Sequence, residues 1–149
     1  MITLMSWNVN GIRAAGRKGL LAFLRRARPD VLCVQETLLD GPGALGPTLA
    51  EPPGYRGYWQ CAERSGYSGV GVYIAENFKE PAFVGPRGLE RFDREGRLQI
   101  IGFDRFTLVN GYWPNAQDKR RRLGYKKDFI TSLTRYANRL VRGGRDVVL

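Results

Sequence analysis

The chain has 149 residues, of which 43% are hydrophobic, enough for one domain with a real core. It has no run of about 18 or more apolar residues that could span a membrane. It has no histidine, which excludes Ser/His/Asp and Cys/His catalysis and histidine-based zinc sites. The 24 Lys and Arg residues exceed the 14 Asp and Glu residues, and this formal charge of +10 favours a polyanionic partner, although it can also serve solubility alone.

The first third of the chain is predicted to form a strand, a helix and a second strand. Residues 2–7 are a short apolar run that ends at a turn signal over residues 8–11. Residues 19–28 place apolar side chains on one helical face and arginines on the other. Residues 30–35 are a second buried-type strand, with Glu36 at its end. This spacing predicts neighbouring strands joined by a helix that packs on the sheet.

The middle of the chain is predicted to be a loop followed by antiparallel strands. Residues 40–57 are rich in glycine and proline and favour a loop that includes one helical turn. Short apolar segments then follow in quick succession, and this spacing favours hairpins. The predicted strands are residues 57–62, 69–75, 80–84, 98–103 and 106–112. The clearest hairpin joins residues 99–103 to residues 106–110.

A long amphipathic helix is predicted over residues 120–142, ended by Gly143–Gly144. Its apolar stripe consists of Tyr125, Phe129, Leu133, Tyr136, Ala137, Leu140 and Val141. Residues 146–149 begin another buried-type strand. Three apolar residues entering a strand are a rare end for a natural domain, so we expect a truncated chain; the alternative is a short C-terminal edge strand.

Two polar residues follow the first two predicted strands. If these strands are neighbours, the amide of Asn8 and the carboxylate of Glu36 project from the same edge of the sheet. Hard oxygen donors of this kind suit Mg²⁺, which takes few protein ligands. A glutamate that follows a strand is otherwise an ordinary solvated residue, so the prediction of a metal site depends on its pairing with Asn8. Cys33 and Cys61 lack metal-binding spacing and are expected to be reduced core residues.

Other segments carry side chains that could contact phosphate. Residues 110–115 include a tyrosine and asparagines that can donate hydrogen bonds, although this segment alone is better explained as a surface turn with a packed aromatic residue. Residues 66–72 are rich in glycine, which lets a ligand approach the backbone, and Tyr67 is expected to be exposed enough to touch a duplex. Basic residues that could track a nucleic acid, or simply be solvated, are Arg13, Arg17, Lys18, Arg94, Arg97 and residues 119–122.

Five segments occur in an order and spacing that is typical of one known family. They are SWNVNGIRA at 6–14, PDVLCVQET at 29–37, GYSGVGVY at 66–73, FDREGR at 92–97 and NGYWPNA at 110–116. Together they resemble the exonuclease III family of DNA-repair AP endonucleases, within the endonuclease/exonuclease/phosphatase superfamily. The third and fourth segments point to the DNA-repair branch rather than to lipid or inositol phosphatases.

The resemblance implies an α/β (α+β) fold, the N-terminal half of a four-layer αββα sandwich with mostly antiparallel sheet and helices on its outer face. Each half of the family's chain is expected to contribute one sheet. Residues 1–149 would then be the N-terminal half of an exonuclease III-like catalytic domain. The inner face of the sheet would lack its partner, so we expect the isolated chain to bind the missing half, to self-associate or to fold poorly.

The resemblance also implies roles for particular residues. Those similar to the family's metal site are Glu36 and Asn8, those similar to its catalytic phosphate contacts are Tyr112 and Asn115, and those similar to its DNA contacts are Asn10, Arg13 and Tyr67. Leu38 departs from the family, which often has lysine there. The family's later Gly-Asp-x-Asn and Asp-His motifs do not occur in residues 1–149.

The function implied is hydrolysis of the DNA backbone in base-excision repair, at abasic sites or as a 3′-5′ exodeoxyribonuclease. The expected cofactor is Mg²⁺, with Mn²⁺ as the alternative, and the partners are double-stranded and abasic-site DNA. The N-terminus turns polar too early for a signal peptide, so we expect a cytoplasmic protein, acting at the bacterial nucleoid. The isolated chain is expected to be inactive. The alternatives are a non-catalytic DNA-binding module and a phosphoesterase with a non-DNA substrate.

Overall fold

The structure is a computed structural model that describes residues 1–115 and 122–149. The strands are β1 (Leu4–Asn8), β2 (Val31–Gln35), β3 (Tyr55–Gln60), β4 (Val70–Ala75), β5 (Phe83–Gly85), β6 (Leu98–Gly102), β7 (Phe106–Gly111) and β8 (Asp146–Val148). The α-helices are α1 (Ile12–Arg17), α2 (Leu20–Ala27), α3 (Pro47–Ala50) and α4 (Leu123–Arg142), and short 3₁₀ helices form at Pro42–Ala44 and Glu90–Glu95. Within these ranges, no helix combines the length and the apolar character that crossing a membrane would need.

The first sheet has the strand order β1-β2-β4-β3. β1 and β2 are parallel neighbours, and the other two pairs are antiparallel. Helices α1 and α2 cover the outer face of this sheet, where Ile12, Leu20 and Leu24 pack against Leu32 and Tyr73. The predicted unit of two neighbouring strands joined by a helix is therefore confirmed. Helix α1 was not predicted, because it is only six residues long and contains a glycine.

The second sheet has the strand order β5-β6-β7-β8. The predicted hairpin of β6 and β7 is confirmed: Gly102 lies opposite Thr107, and the Phe103 amide donates a hydrogen bond to the Phe106 carbonyl at 2.9 Å. Helix α4 covers the outer face of this sheet, where Phe129 and Leu133 pack on the apolar side chains of β6 and β7.

The inner faces of the two sheets pack against each other. Val31, Cys33 and Ile74 from the first sheet form one buried cluster with Ile101 and Leu108 from the second. The layers therefore run helix, sheet, sheet, helix, which confirms the four-layer αββα arrangement. The expectation that this portion contributes only one sheet is wrong. Hairpin spacing shows which strands are close along the chain, but it does not show that the connection after β4 carries the chain into a second sheet.

The expectation of a bare inner face fails for the same reason, because that face of the first sheet is covered by the second sheet of the same chain. Cys33 is buried and Cys61 half-buried, and both are free thiols, as predicted. Residues 40–57 contain a 3₁₀ turn and α3, and β3 begins at Tyr55 rather than at residue 57.

The C-terminal elements differ from the prediction in burial. Helix α4 is described from Leu123, and residues 120 and 121 of the predicted helix lie outside the described residues. Val141, assigned to the apolar stripe, is 57% exposed. β8 forms where predicted, but it is not buried, since it pairs only with β7 at the edge of its sheet; Val148 is 38% exposed. Local periodicity locates a strand but not its place in the sheet.

One glycine-to-alanine pair tests how tightly the first sheet is packed. A Cβ atom at Gly71 in β4 would lie 2.4 Å from the Trp59 ring and 3.2 Å from Val34 Cγ2. We expect Gly71→Ala to lower the free energy of unfolding by about 1–3 kcal/mol, because the neighbours must move. At Gly124 a Cβ would meet no atom of the described residues within 4 Å, so Gly124→Ala in α4 should be neutral or stabilising by up to about 1 kcal/mol. Urea unfolding of both variants measures the two changes in the free energy of unfolding. Equal changes would contradict the tight packing at Gly71.

Candidate active site

The carboxyl ends of β1 and β2 lie side by side, with Asn8 directly opposite Gln35. Glu36 follows at once with a left-handed φ of 55°, which turns the chain away from the strand. The Glu36 carbonyl accepts a hydrogen bond from the Gly11 amide at 2.7 Å. The structure therefore brings Asn8 and Glu36 to adjacent strand ends.

Asn10 is tied to the same strand end. Its backbone amide donates a hydrogen bond to the Asn8 side-chain oxygen at 3.1 Å, and its own φ of 45° is left-handed. Asparagine tolerates this conformation and forms such side-chain turns readily. The turn therefore orients the Asn8 amide, whose oxygen keeps a second lone pair for another ligand.

Tyr112 comes from the second sheet and meets Glu36. It directly follows β7, and its amide donates a hydrogen bond to the Arg97 carbonyl at 2.8 Å. Burial, together with hydrogen bonding to the Glu36 carboxylate and its charge, raises the pKa of Tyr112 to about 12. The phenol is therefore neutral at physiological pH and can donate a hydrogen bond, and the ends of the two sheets meet at this acid–phenol pair.

A buried polar cluster lies beneath this pair and joins the two sheets. The Gln35 amide donates hydrogen bonds to Asn110 Oδ1 at 2.8 Å and to Ser6 Oγ at 3.0 Å. The Asn110 amide donates to the Gly71 carbonyl at 2.8 Å. Asn110, expected in a surface turn, is thus a buried bridge, because it is the penultimate residue of a strand that faces the other sheet. Of that segment, Trp113 behaves as expected: it is 48% exposed and packs edge-on against an aromatic ring.

Tyr67 is held by charged residues that the sequence analysis did not connect with it. Its hydroxyl accepts hydrogen bonds from Arg97 Nη2 at 2.7 Å and Arg122 Nη1 at 2.6 Å. Both arginines also bind Glu95. Tyr67 is half-buried rather than freely exposed. The signal that could have indicated this is Glu95, one of two acidic residues inside the FDREGR segment of a strongly basic chain.

Arg13 and Asn115 are not brought into contact with these groups. Arg13 Nη2 donates to Asp40 Oδ2 at 3.1 Å and to the Ala44 carbonyl at 2.9 Å, so the guanidinium holds the loop after β2. The Ser65 and Arg13 hydrogen bonds lower the pKa of Asp40. Asn115 is exposed, three residues beyond Tyr112. Residues 119–121, which the sequence analysis includes among the basic residues that could track a nucleic acid, lie outside the described residues.

The donor set at the strand ends discriminates between metals. In residues 1–115 and 122–149, no three of the His, Cys, Asp and Glu side chains come together as a metal cluster. Glu36 supplies one carboxylate and Asn8 one amide oxygen. Structural zinc needs four protein ligands and prefers sulfur and nitrogen donors, so this ligand set does not suit it. The set fits Mg²⁺, which keeps several waters and completes its shell with substrate phosphate oxygens.

The arrangement of two facing sheets with an acid and a phenol at their shared end can be compared with known proteins. The model of the Endonuclease/Exonuclease/phosphatase family matches residues 5–149. The chain belongs to this family. Among relatives, it is 33% identical over 135 residues to the exodeoxyribonuclease of Bacillus subtilis (strain 168), covering 89% of this chain and 51% of that protein. It is 38% identical over 136 residues to the DNA repair nuclease APEX1 of Danio rerio, covering 89% of this chain and 43% of that protein.

Solved structures of this family share the fold. The AP endonuclease LMAP from Leishmania major is 31% identical, with a TM-score of 0.75, covering 93% of this chain and 48% of that one. The catalytic domain of Xenopus laevis APE2 is 26% identical, with a TM-score of 0.80, covering 98% and 56%. The relatives' names confirm the resemblance to exonuclease III-type AP endonucleases. The 149-residue chain spans about half the length of these relatives.

Proposed function

We propose that this chain supplies part of a metal-dependent nuclease that hydrolyses DNA phosphodiester bonds in base-excision repair, at abasic sites, at 3′ ends or at both. The observation that carries the proposal is the hydrogen bond at 2.8 Å from the Gln35 amide to Asn110 Oδ1, which joins the ends of β2 and β7 and so places Glu36 and Tyr112 at the same end of the sandwich. The names of the relatives, an exodeoxyribonuclease and a DNA repair nuclease among them, support DNA as the substrate.

Glu36 and Asn8 would hold the metal ion, with Mg²⁺ as the ion that the donor set fits and Mn²⁺ as its closest substitute. When bound, such an ion supplies positive charge that polarises a phosphate oxygen and stabilises a developing alkoxide. The chain's part is to present one carboxylate and one amide oxygen from adjacent strand ends. The backbone bond from Asn10 to Asn8 keeps that amide oriented before substrate arrives.

Tyr112 would donate its hydroxyl proton in a hydrogen bond to a non-bridging oxygen of the scissile phosphate. Its raised pKa keeps it protonated over the pH range in which enzymes work. Donors already in place where charge develops stabilise the transition state without reorganisation. Asn115, exposed on the same segment, would add a second donor once DNA is bound. Hydrolysis adds water to phosphorus and breaks the bond to the 3′ oxygen, and none of these residues is assigned the role of base.

The positive face around this site would hold the duplex. Asn10 is exposed at the strand ends, and Tyr67 lies in the network that reaches Tyr112 through Arg97. Arg13 holds the loop after β2, and its side chain is 45% exposed. The part of its guanidinium that Asp40 leaves accessible would contact the DNA backbone. A formal charge of +10 favours such contacts through counterion release.

We further propose that residues 1–149 are the N-terminal half of the catalytic domain and that the other half packs against one open side of the sandwich. β1 and β8 are edge strands of the two sheets, and a cleft of about 340 Å³ between them is lined by Leu4, Leu108 and Val148. Unpaired strand edges beside an apolar cleft promote association. The doubled length of the relatives is consistent with this placement.

By itself, the chain is therefore expected to self-associate through this open side, because its unpaired edges can pair with another copy. Sedimentation velocity over a range of concentrations should show dimers or larger species, and Val148→Lys should shift them towards monomer, since a lysine on an edge strand opposes pairing. A lysine at Val141 on α4, which is also exposed, is the control and should leave association unchanged. A monomer at every concentration would contradict the open-side proposal.

Two proteins test the proposed function: the chain itself, and a chimera in which it replaces the matching part of the Bacillus subtilis exodeoxyribonuclease. The chain alone is expected to bind a short duplex with an affinity that falls steeply with salt, and not to nick it. The chimera, once a cooperative melt shows that it folds, is expected to nick an abasic-site duplex with Mg²⁺ and not with a chelator.

Other outcomes would overturn particular parts of the proposal. Strong metal-dependent cleavage by the chain alone would contradict its role as half of an active site. A folded chimera that binds DNA without cutting it would favour a binding module. Indifference of both proteins to duplex DNA would favour a phosphoesterase with a small substrate.

A further inference from the structure

A network of paired charges lies beside the proposed DNA-binding surface and takes no part in the proposed chemistry. Glu95 accepts two hydrogen bonds from Arg122 Nη2, at 2.5 and 2.6 Å, and one from Arg97 Nε at 2.5 Å. The Arg97 side chain is only 3% exposed, and those of Arg122 and Glu95 are about 30% exposed. We call these three residues, with Tyr67, the Glu95 network. Removing so many charges from water is costly unless each is paired, so the arrangement is a defined one.

The carboxylate at the centre of the network stays ionised. Burial acts to raise the pKa of Glu95, but the hydrogen bonds and charges of Arg122 and Arg97 outweigh it and lower that pKa. The hydrogen bonds that Arg122 donates to Glu95 and Tyr67 in turn raise the pKa of Arg122. The network therefore carries one negative and two positive charges, and Glu95 is what holds the two guanidinium groups together.

The two guanidinium groups converge on one oxygen, the Tyr67 hydroxyl. A phenolic oxygen has two acceptor lone pairs and one O–H donor. Both lone pairs are occupied by charged donors, so the hydroxyl can only donate to a further partner. Hydrogen bonds from charged groups also polarise the hydroxyl and strengthen it as a donor. A hydroxyl that can only donate a hydrogen bond suits a ligand with an anionic oxygen, which can only accept one.

The network also connects this hydroxyl to the candidate active site. Arg97 Nη1 donates to the Tyr112 carbonyl at 3.3 Å, and the guanidinium lies over the Tyr112 ring at 4.8 Å from its centroid. A substitution at Glu95 would therefore shift Arg97 and change the contacts of both Tyr67 and Tyr112.

We propose that Glu95 is a positioning residue that holds Arg97 and Arg122 against the Tyr67 hydroxyl and so makes that hydroxyl a fixed hydrogen-bond donor to a backbone phosphate of DNA. The inference rests on the proposed function, because it takes DNA as the ligand. Glu95 itself touches no phosphate; its negative charge would repel one.

The sign of the effect of Glu95→Gln on DNA affinity tests the proposal. Removing a negative charge raises the net charge by one, so long-range electrostatics alone would tighten binding. Loss of the positioned donor would weaken it, by roughly tenfold for a hydrogen bond to a charged group. We expect the tenfold loss, measured by fluorescence anisotropy with a labelled duplex in the presence of a chelator. Asp128→Asn makes the same charge change at an exposed ion pair on α4 and should leave affinity equal or slightly tighter.

Two further variants keep the test decisive if Glu95→Gln lowers stability. Arg122→Lys keeps the net charge but loses the fork that reaches Glu95 and Tyr67 together, so it should weaken binding in the same direction. Tyr67→Phe should weaken binding by a similar factor, and the double variant Glu95→Gln/Tyr67→Phe should bind no more weakly than either single variant, because all act through one hydroxyl. Thermal melts establish which variants fold.

The outcomes separate this inference from the proposed function. Unchanged or tighter binding by folded Glu95→Gln, or additive losses in the double variant, would overturn the positioning role while leaving DNA binding in place. Failure of the unaltered chain and of Asp128→Asn to bind duplex DNA would overturn the proposed function, and the inference with it.

Discussion

Replacing Glu36 with glutamine is expected to lower metal-dependent cleavage of an abasic-site duplex by at least about 10³-fold while leaving DNA binding intact. Glu36 is the carboxylate at these adjacent strand ends, beside Asn8 and near Tyr112, and glutamine keeps its size but removes the charge that a divalent cation requires. Charge stabilisation by a bound cation supplies several kcal/mol, and each 1.4 kcal/mol is about tenfold in rate. The measurement is single-turnover nicking by the Bacillus subtilis chimera.

Two additional measurements make this result specific to the metal site. Glu51→Gln makes the same chemical change at an exposed position at the end of α3, and it should leave the nicking rate unchanged. In the chain itself, Mn²⁺ should broaden the amide resonances around Asn8 and Glu36, and Glu36→Gln should abolish that broadening. Undiminished cleavage or undiminished broadening in Glu36→Gln would show that the metal binds elsewhere.

The second large effect is expected on stability. Phe129 in α4 is fully buried and lies at the centre of an aromatic cluster, with ring centroids 5.1 Å from Phe92, 5.5 Å from Trp113 and 6.5 Å from Tyr125. Phe129→Ala removes the ring and leaves a cavity, which should lower the free energy of unfolding by about 3–5 kcal/mol. This is a large fraction of the stability of a domain of this size.

Phe129 also supports the candidate active site, because Trp113 packs edge-on against it and directly follows Tyr112. Ile130→Ala is the matched control, because Ile130 follows Phe129 in α4 but is 42% exposed. This substitution should change the free energy of unfolding by less than about 0.5 kcal/mol. Denaturant unfolding of the two variants checks the difference. A loss below about 1 kcal/mol for Phe129→Ala would show that α4 does not anchor on the second sheet through this residue.

Elements with strong local patterns were predicted well. The hairpin of β6 and β7, the helix α2 and the long helix α4 each have an apolar period that the packed structure satisfies. Burial was predicted less well at the ends of such patterns. Val141 continues the helical stripe and Val148 lies in the apolar strand β8, yet both are exposed, because a period shows which residues share a face and not how far the neighbouring layer extends.

In the candidate active site, too, contacts within one sheet could be predicted from the sequence and contacts between the sheets could not. Asn8 and Glu36 could be paired from the sequence, because two strands joined by a short helical connection are most simply neighbours in one sheet. The pairing of Glu36 with Tyr112 was beyond such reasoning, since they come from different sheets. The same holds for Glu95 and Arg122, which are separated by a strand pair and by residues outside the described ranges.

The sequence by itself therefore determined the family resemblance, most strand and helix positions, and the residue types at the strand ends, because these depend on neighbours within a few positions along the chain. Only the tertiary structure decided that one chain forms two facing sheets, that Asn110 is a buried bridge between them, and that two arginines converge on Tyr67. Those outcomes depend on which distant surfaces exclude water together, and local periodicity carries no information about that choice.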